Sequence, residues 1–146
     1  MTVEEIASNR GVAMTLQTGG IHHVAIRVTD LARGKEFYTT VLGFAEVLQT
    51  EDLVLLNVYG TFLGLRAGAP ETEPNDRFNP FRVGLDHLAL AAPSADALLE
   101  LQRQLDVSGV PNNGIENDPL LGAEYVSFYD PDGIAWELYA LPAQSS

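Results

Sequence analysis

The chain has no cysteine, which excludes a disulfide framework, a thiolate metal site and a cysteine nucleophile. Any chemistry therefore falls to oxygen and nitrogen groups. Positive charge is scarce: 8 Lys and Arg stand against 20 Asp and Glu, a formal charge of -12. A surface of that sign repels phosphate backbones and anionic lipid, so neither nucleic acid nor membrane is expected as a partner. No apolar run approaches the roughly 20 residues needed to span a bilayer. The opening MTVEEIASNRGVAMTLQTGG puts acids where a secretory leader carries bases. A soluble cytoplasmic protein is the expectation.

What is present is a balance of 46% apolar and 19% charged residues over 146 positions, enough for one domain with a core of its own. The chain also repeats itself. His23-Val-Ala-Ile-Arg-Val-Thr-Asp30 matches His87-Leu-Ala-Leu-Ala-Ala-Pro-Ser94 at an offset of 64. In each copy a short β run leads to a capping residue, Asp30 or Ser94, and then to a helical pattern ending near Gly43 or Gly109. Three more strand-like runs follow each helix: Phe44 to Thr50, Leu53 to Tyr59 and Thr61 to Ala67 in the first copy, then 113–117, Ala123 to Tyr129 and Ile134 to Leu141 in the second. The last two are joined by the turn Asp130-Pro-Asp-Gly133.

The expected architecture is α+β: two βαβββ modules forming a cupped mixed sheet. Residues 1–19 read as an N-terminal extension and 20–146 as a single domain, with module 1 at 20–67, a Pro- and acid-rich linker at 68–82 and module 2 at 83–141. Gly60 aligns with Gly133 at an offset of 73, so the second copy is longer by nine residues. The loop 117–122 is the expected place for them.

Alternate residues of a strand share a face. Val24, Ile26 and Val28 must pack against the helices, which puts His23 on the opposite face with Ala25 and Arg27. The same alternation sets His87 beside Ala89 and Ala91, and Glu137 beside Ala135 and Tyr139. A lone strand histidine is more often a packed or solvated residue than a ligand. Here both histidines hold one repeat position next to small neighbours, and an acid interrupts an apolar strand where an unpaired carboxylate is costly. His23, His87 and Glu137 are therefore the candidate ligands of one divalent metal among Fe, Mn, Ni, Co and Zn, with positions left open for substrate. Alternation assigns His22 to the packed face, and Asx-type turn bonding accounts for Asp130 and Asp132 without any ion. Further candidates on the open face are Asn57, Tyr59, Phe62, Arg66, Tyr125 and Ser127 for substrate contact, and Tyr129 as proton donor or partner of a substrate hydroxyl.

His-Val/Leu-Ala on the first strand of each module, a helix ending FYTTVLGF and a closing DPDGIAWELY together resemble the vicinal oxygen chelate superfamily. That group includes glyoxalase I, extradiol dioxygenases, fosfomycin-resistance thiol transferases and bleomycin-resistance proteins. The resemblance spans about residues 20 to 141. It implies metal ligands at His23, His87 and Glu137, with Glu137 taking part in catalysis, and sets the family's usual fourth ligand position on Gly64, which cannot ligate. It thus points away from four-ligand glyoxalase I and acyl-CoA epimerases, toward the three-ligand pattern of dioxygenases and thiol transferases. Fosfomycin transfer is not expected, because Ala25 stands where those members carry threonine and Leu141-Pro-Ala where they carry bases. Extradiol cleavage is not expected either, with His22 assigned to the packed face and no spare histidine on the open one.

The expected function is that of a metal-dependent dioxygenase-, lyase- or isomerase-like enzyme. It would act on a small oxygenated or aromatic metabolite through bidentate chelation. The competing expectation is a metal-free antibiotic-binding resistance protein of the bleomycin type, favoured by the acidic charge. A homodimer is implied under both.

Overall fold

The computed structural model describes residues 15–140; most of the N-terminal extension, and Leu141, lie outside them. Module 1 comprises β1 (His23–Arg27), α1 (Leu31–Glu36), a π-helical turn (Phe37–Val41), β2 (Ala45–Gln49), β3 (Leu53–Val58) and β4 (Thr61–Arg66). Module 2 comprises β5 (Leu88–Ala92), α2 (Ala95–Val107), β6 (Asn112–Asp118), β7 (Ala123–Tyr129) and β8 (Ala135–Ala140). The two sheets have the same topology, β1-β4-β3-β2 and β5-β8-β7-β6, with the first pair parallel and the others antiparallel.

Local chemistry sets the boundaries. Asp30 caps α1 by accepting from the Arg33 N–H at 3.0 Å, and Gly43 leaves the helix at φ 76°, a conformation that costs glycine nothing. The single helix expected over Leu31 to Leu42 widens at Phe37, where the Leu42 N–H donates to the Phe37 carbonyl. The apolar spacing of Phe37, Tyr38, Val41 and Leu42 serves either helical form, so it does not distinguish them. Most of the nine extra residues of module 2 enter where expected, in the hairpin that carries 117–122. By strand register Ala25, Gly64 and Leu55 correspond to Ala89, Glu137 and Ser127, at offsets of 64, 73 and 72. Gln49, paired with Val54, corresponds to Ile115, paired with Val126, at an offset of 66. The offset thus grows by six between β6 and β7, and by two and one in the other connections.

The modules are joined by a buried polar clasp inside the shared core. The Tyr38 hydroxyl donates to Asp130 Oδ2 at 2.7 Å and accepts from Trp136 Nε1 at 2.9 Å. Asp130 Oδ1 accepts from the N–H groups of Asp132 and Ile134. Asp132 accepts from the Thr29 N–H at 3.1 Å and from Arg33 at 3.1 Å. The turn aspartates are structural, as the sequence indicated, and they also tie module 2 to module 1.

Burial, then the neighbouring Asp130 charge, pushes the Tyr38 phenol far above its ordinary value. A phenol raised in the folded state contributes stability that is complete below its unfolded value, near pH 10, and declines as the pH rises beyond it. The melting temperature is expected to fall between about pH 9.5 and 11, and to fall less in Tyr38→Phe. At neutral pH that variant is expected to be less stable by about 1–3 kcal/mol, through the acceptor and donor it leaves behind. Thermal melts across this range check both statements.

Candidate functional site

Because the helices cover one face of each sheet, the alternate residues of the strands stand on an open one. In module 1 that face is laid out by register: His23 beside Phe62 and Asn57, Ala25 beside Gly64 and Leu55, Arg27 beside Arg66 and Leu53. In module 2, Ala89, Glu137 and Ser127 form one row, and Ala91, Tyr139 and Tyr125 the next. Val24 and Ile26, and Leu88 and Leu90, pack toward the core, as alternation predicts.

His87 and Glu137 come together: Nε2 of the imidazole lies 3.2 Å from Oε2 of the carboxylate. Ser127 Oγ lies 3.5 Å from Glu137 Oε1. The other ring nitrogen, His87 Nδ1, is 2.7 Å from Asp86 Oδ1. His23 does not join the pair. Its Nδ1 is 2.9 Å from His22 Nδ1, and among the described residues no three His, Asp or Glu side chains converge closely enough to hold an ion. His23, Ala25, Ala89 and Ala91 are all exposed.

His22 departs from the sequence expectation. β1 begins at His23, so strand alternation does not extend back to His22. Its ring lies against Phe62 and edge-on to His23, at 5.6 and 5.1 Å. A spare histidine therefore does stand beside one of the candidate ligands. Tyr59 departs as well. It occupies the β3–β4 turn at φ 51° and is almost wholly exposed, beyond the last residue to which alternation applies. It instead lines a groove of about 760 Å³ between the modules, with Leu90, Ala97 and Leu101.

The remaining candidates stay on the open faces, several already engaged. Asn57 accepts from the Gly60 N–H, and Phe62 carries the His22 ring. Arg66 is exposed. The Tyr129 hydroxyl accepts from Asn113 at 3.2 Å. Tyr125 stacks on Tyr139 with ring centres 4.7 Å apart and planes 7° apart. Their hydroxyls donate to Glu116 and Asp118 respectively. The Asp118 contact raises the Tyr139 phenol and lowers the Asp118 carboxyl; burial, with Glu116, raises Tyr125. Asp86, Glu116 and Asp118 escaped the sequence reading. The one available signal was that Asp86 precedes a candidate ligand.

The donor set fits a divalent cation. An imidazole nitrogen and a carboxylate oxygen already face each other over alanine and serine, and borderline metals accept both donor types. Among the described residues no helix is long and apolar enough to cross a membrane.

Residues 20–138 match the model of the Glyoxalase/Bleomycin resistance protein/Dioxygenase superfamily. The chain is 31% identical over 125 residues to the uncharacterized protein YwkD of Bacillus subtilis (strain 168), covering 82% of this chain and 94% of that one. It is similar to the crystal structure of a glyoxylase/bleomycin resistance protein/dioxygenase domain from Frankia sp. EAN1pec, at TM-score 0.74 and 26% identity, over 85% of this chain and 98% of that one. It is also similar in fold to a variant of the fosfomycin resistance protein FosX from Listeria monocytogenes, complexed with Mn(II) and 1S,2S-dihydroxypropylphosphonic acid. That likeness has TM-score 0.68 at 18% identity, over 87% of this chain and 94% of that one.

Proposed function

Because the chain belongs to the glyoxalase/bleomycin resistance protein/dioxygenase superfamily, we propose that it is a metal-dependent enzyme acting on a small oxygenated or aromatic metabolite. The observation that carries this reading is the 3.2 Å approach of His87 Nε2 to Glu137 Oε2, in a row flanked by the small residues Ala89 and Ser127. His87 and Glu137 of one copy would hold a divalent metal together with His23 of a second copy in a homodimer. The third ligand is sought there because His23 stays apart within the chain and His23, Ala25, Ala89 and Ala91 are exposed among the described residues. Mn(II) in the complex of the fold relative FosX supports the choice of a divalent ion.

Such an ion supplies a Lewis acid that takes two oxygens of the substrate and favours charge developing on them. The chain's own groups do the rest. Ala25, Gly64, Ala89 and Ala91 leave room above the ligands, and Phe62 offers an apolar wall. Arg66 offers charge for an anionic substituent. Tyr129 would exchange a proton or hold a hydroxyl, a role supported by its hydroxyl lying within reach of a donor, Asn113. His22 adds a nitrogen base or acid next to His23.

Protein purified without chelator is expected to carry near-stoichiometric metal by elemental analysis, and His87→Ala to carry none. Equal metal in both would sink the reading. A second reading, metal-free binding of a cationic antibiotic, is favoured by the stacked Tyr125 and Tyr139 beside Glu116, Asp118 and Glu137, since aromatic faces and carboxylates attract cations. Calorimetric titration with a cationic aromatic drug in the presence of chelator separates the two. Tight binding there, unaffected by His87→Ala, would favour the second.

A further inference from the structure

We propose that Asp86 and His22 are matched positioning residues, each holding the ligand histidine that follows it so that Nε2 is presented to the metal. This rests on the metal reading above. The offset of 64 that carries His23 onto His87 carries His22 onto Asp86, and in both modules the preceding side chain meets Nδ1, at 2.9 Å for His23 and 2.7 Å for His87.

Consecutive side chains of a strand point to opposite faces, so residues i−1 and i do not normally touch. Here they do, because β1 starts only at His23 and β5 only at Leu88, which frees the preceding side chain to turn onto the ring. Asp86 makes no other side-chain hydrogen bond or ion pair among the described residues, and its side chain is 74% exposed. Its contact with His87 has no evident use in the fold.

The contact does have a use at a metal. A neutral imidazole has two tautomers and a ring that turns easily. A partner accepting the Nδ1 proton fixes both, and leaves the Nε2 lone pair aimed outward. The His87 Nε2 aimed in this way faces Glu137. His22 can act as acceptor through Nδ1, and its ring is itself braced on Phe62. The modules differ in the strength of the device: module 2 uses a charged carboxylate, module 1 a neutral ring.

Titration of the full-length protein with Co(II), followed by calorimetry and by the visible absorption of the bound ion, tests this. Asp86→Ala is expected to weaken Co(II) binding by about 10- to 100-fold, the range for losing such a partner. Asp86→Asn, which keeps an oxygen acceptor, is expected to fall between it and the native chain. His22→Ala is expected to cost about tenfold and to shift the absorption bands, with His22→Asn close to native. The melting temperatures of the metal-free variants should stay with the native value, since both residues are exposed. Affinities within twofold of native for Asp86→Ala and His22→Ala, or a loss confined to one of them, would overturn the assignment while leaving the metal reading intact. A native chain that binds no Co(II) would overturn both.

Discussion

Glu137→Gln is expected to leave a folded protein that retains no metal and turns over no substrate. Glu137 sits in the middle of β8 with 17% of its side chain exposed. Among the described residues it has no Lys or Arg partner, only His87 and the Ser127 hydroxyl. A carboxylate so placed is costly to the fold unless something compensates its charge. If that something is a metal, the neutral amide removes the charge the ion needs and also the cost the metal-free fold bears. Metal affinity should then fall by more than the roughly 100-fold that marks loss of a partner outside the ligand set. The melting temperature without metal should hold or rise. A structural carboxylate predicts the reverse pattern: lower stability and unchanged metal content. Elemental analysis and a thermal melt on one preparation distinguish them.

The largest stability effect is expected from Asp130→Ala. Both carboxylate oxygens are used, one by the Tyr38 hydroxyl and the other by the N–H groups of Asp132 and Ile134. The site is buried. Alanine strands three donors at once, and at about 1–3 kcal/mol for each unsatisfied group, offset by local relaxation, the cost should be about 4 kcal/mol. For a chain of this size that lowers the melting temperature by roughly 10 °C. Asp130→Asn keeps one acceptor oxygen and should cost about half as much. A drop of less than about 2 °C in the alanine variant would mean that the clasp does not hold the modules together.

The repeat made the architecture readable, because a 64-residue offset preserved strand, cap and histidine together, and alternation from His23 and His87 correctly separated packed from open faces. Alternation failed where the strand had ended. His22 lies one residue before β1 and Tyr59 in a turn at positive φ, so neither follows the strand's period. Most of the length difference was legible too, since six of the nine extra residues fall in the β6–β7 hairpin that carries 117–122. The contacts of Asp86, and the pairing of Tyr125 with Glu116 and Tyr139 with Asp118, depend on side-chain conformations that a one-dimensional pattern does not carry. That His23 stands apart from His87 and Glu137 was equally beyond it. Alternation assigns a residue to a face, and leaves open which module's face it meets.

The claim that one metal is shared between copies is tested most directly by mixing two defective chains. His23→Ala keeps His87 and Glu137, while His87→Ala keeps His23. A two-fold dimer of one of each contains one intact set of ligands. Each variant alone is expected to hold no metal; after co-refolding, random pairing should restore about a quarter of the native metal content. Recovery near that level is what the account predicts. A mixture as empty as its parents, when the native chain is loaded, would contradict it.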